Sequence, residues 1–283
     1  MKIGLVLEGG GFRGVFVEGI TNWLLEQELE LPYVIGVSMG AINGTNYIAK
    51  QKKRNIEIIK KFINDPRYIS KRNLITKGGL FGMDFIFNDI AHVHHPFDFK
   101  SFEETTQEFV IGAMNCETGK TTYIRKSENT IDDMMIALRA SSSLPFVSQQ
   151  VAIQEIPHLD GGISDPIPVR KAFEDGCDKV IVVLTQDENY VKEPFKGASI
   201  SKVFYRKHPK VLTSLQSRHY IYTETQHYLK TLEATGKALV IRPKSPLEVS
   251  RTEKDFNKVY KAYEEGYLLA EEMKDEIINF LEV

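Results

Sequence analysis

The chain has 283 residues, 42% of them hydrophobic and 26% charged, with a net charge of −2. Those proportions suit a globular protein that buries one large core, and the near-neutral balance argues against a general nucleic-acid binder. No apolar run approaches the roughly 18 residues that a spanning helix needs, and the N-terminal stretch Ile3–Leu7 stops at Glu8, so neither a membrane anchor nor a signal peptide is expected.

In chain order, Ile3–Leu7 reads as a short strand, apolar throughout because helices cover both faces of a parallel sheet. A glycine turn follows, and then a helix over Val15–Leu25, where Val15, Phe16, Ile20, Trp23 and Leu24 recur at helical spacing. Tyr33–Ile35 repeats the scheme, with Gly36–Gly40 as the turn and Ala41–Lys50 as the helix. Two such units predict an α/β fold with a mostly parallel sheet.

Residues 52–100 read as helix and loop inserted after the second unit, a lid or substrate-pocket wall with Phe81, Phe85 and Phe87 at its centre. Those rings can line an acyl pocket or form a satellite core. Residues 50–77 hold ten Lys or Arg against Glu57 and Asp65, and a second basic run lies at Lys196–Lys210. Such runs are usually solvated helix faces, although they can also hold a protein against an anionic membrane surface. His92, His94 and His95, with Asp89 nearby, fit no standard zinc spacing, so a polar loop is expected there and no metal site.

Glu108–Asn115 and Thr121–Arg125 predict a hairpin with Gly119 in the turn, and Ile131–Ala140 a helix. Lys179–Leu184 and Ala238–Ile241 complete the strands. The C-terminal segment carries a long apolar helical stripe from Phe256 to Leu281, its tyrosines directed to the core, with Thr252 as the expected cap. Cys116 and Cys177 lack a CxxC partner, so a disulfide is not expected and a reducing cytoplasm is the default location. No composition shift marks a second domain. The expectation is one unit over 1–283, with a core at about 3–185 and a helical extension at about 200–283.

Three motifs can carry chemistry. Gly36-Val37-Ser38-Met39-Gly40 matches the nucleophile elbow, in which a strained strand-to-helix turn points a serine hydroxyl out of the sheet. Gly9-Gly10-Gly11-Phe12-Arg13-Gly14 has the outline of a phosphate loop. However, the second strand ends without the acid that a dinucleotide fold requires, and no Lys-Ser or Lys-Thr follows as in a Walker loop. Consecutive glycine amides suit an oxyanion hole better, with Arg13 adding positive charge or fixing the loop. Asp160-Gly161-Gly162 ends an extended segment in a tight turn that can project a carboxylate. Seven histidines are present and none is marked as a base by its pattern; His208, His219 and His227 remain open by chain order alone.

Taken in this order, the three motifs resemble the patatin-like phospholipases. The resemblance implies a three-layer α/β/α fold and a serine–aspartate dyad without histidine. In it Ser38 is the nucleophile and Asp160 the base, and Gly9, Gly10 and Gly11 with Arg13 form the oxyanion hole. Gly14, Gly36, Gly40, Gly161 and Gly162 shape the three turns. Ala140–Phe146 and Asp165–Val169 resemble further family segments. The implied activity is hydrolysis of a lipid or acyl ester without metal or organic cofactor. An acyltransferase using the same acyl-enzyme and a non-catalytic lipid-binding relative are the alternatives. A desolvated Asp160 in a partly apolar cleft is the physical requirement, because a solvated aspartate, with its pKa near 3.9, is a weak base.

Overall fold

The computed structural model describes residues 1–282, the side chain of Ile200 apart. Strand β1 (Ile3–Leu7) leads into helix α1 (Val15–Glu26), and β2 (Tyr33–Val37) into α2 (Met39–Ile48). The insertion folds as α3 (Arg54–Phe62), α4 (Lys71–Lys77), a π-helical segment at Phe85–His94, and α5 (Phe99–Glu104). The predicted hairpin is β3 (Glu108–Asn115) with β4 (Thr121–Arg125), turning where Gly119 takes a φ of 72°. Then come α6 (Ile131–Ser141), β5 (Val151–Ile153), β6 (Ile156–Asp160), α7 (Val169–Glu174) and β7 (Lys179–Val183). Helices α8 (Ala198–Phe204) and α9 (Pro209–Ala234) precede β8 (Ala238–Ile241), and α10 (Phe256–Glu272) and α11 (Lys274–Glu282) close the chain.

The strands form one sheet in the order β5-β6-β3-β2-β1-β7-β8, with β4 on the other edge of β3. The run from β3 to β8 is parallel; β4, β5 and β6 are antiparallel. Both faces are dry, which explains the all-apolar strands. Leu5, Leu7, Val34, Ile181 and Val183 join one core with Phe16, Trp23, Tyr47 and Met134 from the helices on that side. Their alternates Val6, Ile35, Val180 and Val182 join a second core with Val169, Tyr222, Leu229 and Leu232 from α7 and α9. Each fully buried large side chain contributes about 1.5–3 kcal/mol, so the two cores hold the sheet between its helix layers. The fold is the expected α/β/α arrangement.

The C-terminal extension packs against the core. Helix α10 lies so close to α1 that a Cβ on Gly266 would overlap the Phe16 carbonyl. Asn22 Nδ2 donates to Tyr263 Oη (3.1 Å) and Trp23 Nε1 to Glu271 (2.5 Å). Helix α10 starts at Phe256, capped by Asp255, which accepts from the Asn257 amide, and not at Thr252. The Glu253 carboxylate takes the Lys254 and Asp255 amides and holds that stretch as a turn. Tyr263 is buried as expected, whereas Tyr260 is 42% exposed.

Two further expectations are corrected. The His92–His95 stretch is not a loop: His92 and His94 lie in the π-helical segment, with His92 stacked on Phe99, His94 against Phe62 and Phe85, and His95 Nε2 2.9 Å from Glu57. Helix α2 begins directly after Ser38, not at Ala41, because the Ala41 and Ile42 amides already bond the Ser38 carbonyl. Among the described residues, no helix is long and apolar enough to cross a membrane.

Candidate active site

The register of β3 brings two distant motifs together. One edge of β3 pairs with β4, so β2 and β6 share the other edge: Val37 lies opposite Gly112 and Asp160 opposite the next residue, Ala113. The C-terminal ends of β2 and β6 therefore meet head to head. Ser38 follows Val37 on one side of the junction and Asp160 closes β6 on the other.

Ser38 has φ 54° and ψ −129°, a conformation costing an L-residue on the order of 1–3 kcal/mol. The turn holds it there. The Ser38 amide donates to Ser141 Oγ (2.8 Å), which donates in turn to the Gly112 carbonyl (2.7 Å). Gly36 and Gly40 flank the turn, and a Cβ on Gly40 would overlap the Leu7 carbonyl, so only glycine lets α2 begin this close to β1.

Asp160 is buried. Its Oδ1 accepts from the Gly162 amide (2.7 Å), and its own amide donates to the Ser143 carbonyl (2.8 Å). Gly161 lies against the Gly112 carbonyl, which a Cβ there would overlap. Burial raises the carboxyl's pKa above the ordinary value, while the Ser38 hydroxyl, Arg218, the Gly162 amide and Arg251 favour the ionised form. Ser38 Oγ thus faces the carboxylate.

The glycine loop passes beside the serine. A Cβ on Gly9 would stand 2.8 Å from that of Ser38, and Gly14 packs on Met39. The Gly10 and Gly11 amides find no acceptor among the described residues, whereas the Phe12 amide donates to the Arg251 carbonyl (3.3 Å). Arg13 is held at the loop: with the Gln186 amide oriented to satisfy both groups, its oxygen accepts from Arg13 Nε (3.1 Å) and Nη2 (3.0 Å).

Ser38 stands where two cavities join. One is polar and lined by Gly9, Gly10, Gly11, Arg13, Asp160 and Gly162 together with Lys192, Arg218 and Arg251. The other is apolar, lined by Phe12, Met39, Ile42, Tyr68, Phe81, Met83, Ile86 and Phe87. It continues past Ile42 and Phe87 toward Ile58, Ala91 and Phe97. Phe81 and Phe87 thus wall the cavity, whereas Phe85 packs on Phe62 in the core behind that wall, which also includes Phe12 and Tyr68. No histidine lines any of these spaces. His158, two residues before Asp160, bonds the Ile156 carbonyl and Thr122 Oγ1 instead.

Sequence reasoning missed Ser141, Ser143, Lys192, Arg218 and Arg251. The serines lie in a segment already marked by family resemblance, although nothing local singles out Ser141 from Ser142. The cations carry no sequence signal, being isolated residues on three different segments.

A serine on a strained strand-to-helix turn, facing a buried carboxylate across one edge of an α/β/α sheet, defines the structural class. Comparison with known proteins gives the family: residues 5–173 match the model of the patatin-like phospholipases, and the chain belongs to that family. Residues 208–282 match a second model, a domain of unknown function (DUF6363). Among relatives, the uncharacterized protein YjjU of Escherichia coli is 23% identical over 87% of this chain and 70% of its own length. A probable lipid hydrolase of Invertebrate iridescent virus 6 is 26% identical over 75% of this chain and 81% of its own. A lysophospholipase of Aspergillus terreus is 23% identical over 98% of this chain, which spans only 18% of that protein. The crystal structure of VipD from Legionella pneumophila superposes with a TM-score of 0.52 at 13% identity, covering 97% of this chain and 67% of that one, a likeness of fold.

Proposed function

We propose that the protein is a serine acyl hydrolase that cleaves carboxylic esters of lipids. Ser38 Oγ attacks the ester carbonyl while its proton passes to Asp160. The oxyanion forms against the free amides of Gly10 and Gly11, with Gly9 shaping the loop and Arg13 adding positive charge. The ester C–O bond then breaks, the alcohol leaves with the proton from Asp160, and an acyl group remains on Ser38. In the second half water attacks that acyl group, Asp160 takes its proton, and the fatty acid departs as Ser38 recovers its hydrogen.

The observation that carries this reading is the head-to-head placement of Ser38 and Asp160 on one edge of β3, in a space with no lining histidine. The raised pKa of Asp160 makes it a better base than a solvated aspartate, and its polar neighbours favour the ionised form against that burial. The lysophospholipase and lipid hydrolase names of the relatives agree with a lipid substrate. We read residues 1–283 as one catalytic unit, because Arg218 and Arg251 of the C-terminal segment line the same cavity as the dyad.

Ser38→Ala and Asp160→Asn are each expected to lose at least about a thousandfold in kcat on a short-chain p-nitrophenyl ester. Full activity in either folded variant rules out the dyad. A fluorophosphonate that labels wild type but not Ser38→Ala separates an enzyme from a binding relative. Release of free fatty acid in the presence of a competing alcohol separates hydrolysis from acyl transfer.

Peripheral contact with an anionic membrane is part of the same reading. Exposed Ile75 lies among Lys71, Arg72 and Lys77 on α4, and exposed Val203 and Phe204 follow Lys202 on α8. Sedimentation with phosphatidylglycerol vesicles is expected and should weaken in a Ile75→Asp, Phe204→Asp double variant. Equal sedimentation with phosphatidylcholine vesicles would count against it.

A further inference from the structure

The polar cavity holds more positive charge than the dyad needs. Four cations line it, Arg13, Lys192, Arg218 and Arg251, against the carboxyls of Glu8 and Asp160. Three of the six groups are already engaged: Glu8 Oε2 accepts from the Thr185 amide (2.6 Å) and hydroxyl (3.1 Å), Asp160 Oδ1 accepts from the Gly162 amide, and Arg13 is held by Gln186. Lys192, Arg218 and Arg251 make no ion pair among the described residues. Arg218 Nε is shut off from solvent without any hydrogen-bond partner. Desolvated donors left unpaired and like charges left facing one another are costly, so this arrangement fits a protein completed by a bound anion.

The three cations arrive from separate places: Lys192 from the loop after β7, Arg218 from the middle of α9, and Arg251 from the turn before α10. Arg251 is fixed through its backbone, whose carbonyl accepts from the Phe12 amide of the glycine loop. Ser38 lies between this cluster and the apolar cavity. An ester carbonyl placed at Ser38 therefore has a hydrocarbon space on one side and a cationic space on the other.

We propose that Lys192, Arg218 and Arg251 form a subsite for the phosphate of a lipid headgroup, so that the preferred substrate is an acyl glycerol phosphate with its acyl chain in the apolar cavity. The inference rests on the assignment of Ser38 as the nucleophile. It also gives the C-terminal segment a task, since Arg218 and Arg251 fall within residues 208–282. Burial above all, and then the neighbouring Arg218 and Arg251, bring the Lys192 ammonium down to about 7, so this cation is both desolvated and faced by others of its own sign. A phosphate carrying up to two negative charges, with oxygens facing several donors, relieves that crowding.

The test compares palmitoyl glycerol phosphate with monopalmitoylglycerol, two substrates that differ only in the phosphate. Wild type is expected to favour the phosphate by at least about tenfold in kcat/KM, and Arg251→Gln and Lys192→Gln each to reduce that ratio by about tenfold. Arg251→Lys, which keeps the charge and the backbone contact, should restore most of it. Both lipids cleaved equally well by wild type, or a preference that survives the Lys192→Gln, Arg251→Gln double variant, overturns the subsite while leaving the hydrolase reading intact.

A binding arm makes the outcome independent of turnover. Ser38→Ala protein is titrated calorimetrically with palmitoyl glycerol phosphate, glycerol 3-phosphate and inorganic phosphate. Tight binding of the lipid that Arg251→Gln weakens supports the subsite even if no cleavage is seen, in which case the catalytic reading alone fails. Equal affinity for inorganic phosphate and the lipid identifies the ligand as a free anion and overturns the headgroup assignment. No binding of any of the three overturns the subsite.

Discussion

The residue that sets the geometry of the elbow without touching substrate is Ser141, and replacing it by alanine tests how Ser38 is held. Ser141 is fully buried at the end of α6 and makes two bonds with its one hydroxyl, accepting from the Ser38 amide and donating to the Gly112 carbonyl. Alanine leaves both backbone groups without this partner. At about 1–3 kcal/mol for each buried group left unsatisfied, the stability loss is about 2–6 kcal/mol. For a chain of this size that lowers Tm by about 3–10 °C.

Activity should fall as well. The left-handed φ of Ser38 persists because its surroundings fix it, and the Ser141 hydroxyl is the side-chain clamp on its amide. Freed from it, the turn can relax away from Asp160, and a misplacement of about 1 Å costs on the order of 100-fold in rate. Thermal unfolding by circular dichroism and kcat on a short-chain ester read the two effects. Ser142→Ala is the control: its hydroxyl only shares the Leu138 carbonyl at the end of α6, so a loss under about 1 kcal/mol is expected. If Ser141→Ala unfolds within about 1 °C of wild type and keeps its kcat, the clamp is not what holds the elbow.

Asp160→Asn is expected to abolish activity yet raise Tm at neutral pH. A folded-state pKa raised above the unfolded one makes the ionised carboxyl a liability that grows as pH rises, so the stability gain should shrink on acidification and vanish below the unfolded value. Equal or lower Tm in the variant across that range contradicts the desolvated base. For the same reason the acid limb of kcat/KM in wild type should lie above the ordinary carboxylate range. A third expectation concerns chain length: Ala91 lines the far end of the apolar space, and Ala91→Phe should lower kcat/KM for palmitoyl relative to butyryl esters. An unchanged ratio places the acyl chain elsewhere. The last concerns Lys192, which Arg218, Arg251 and Arg13 face from the other segments with Glu8 as the opposing carboxyl. Because Lys192 is charged below and neutral above about 7, the preference for phosphate-bearing substrate, measured as a kcat/KM ratio, should decline as pH rises through that value and hold steady in Lys192→Arg.

The three motifs were legible because their tertiary geometry leaves a local trace. A helix that starts within van der Waals contact of a neighbouring strand requires glycine at the contact, as at Gly40 against Leu7, and a turn threaded past the Gly112 carbonyl requires it again at Gly161. The alternation of two cores across β1, β2 and β7 likewise leaves strands that are apolar at every position, so the layered α/β fold could be read directly. The π-helical segment left no such trace, since its hydrogen bonds reach one residue further without demanding any residue type. Thr252 was misread as a cap because the competing claim of Glu253 on the neighbouring amides is visible only in three dimensions.

The cationic cluster shows why charge is read so poorly from sequence. Ten basic residues within 50–77 are conspicuous, yet most of those side chains fan around exposed helices, because consecutive residues on a helix point in different directions. Converging several cations on one point requires the opposite: single residues on segments that the fold later brings together, each unremarked among its own neighbours. Lys192, Arg218 and Arg251 meet that condition, lying in three segments and meeting beside Asp160. Their convergence also bears on the dyad. Arg218 and Arg251 help keep Asp160 ionised against its burial, so an anion that binds them reduces that support and shifts Asp160 toward higher basicity at the moment substrate arrives. Recognition of the headgroup and activation of the serine are then two uses of the same charges.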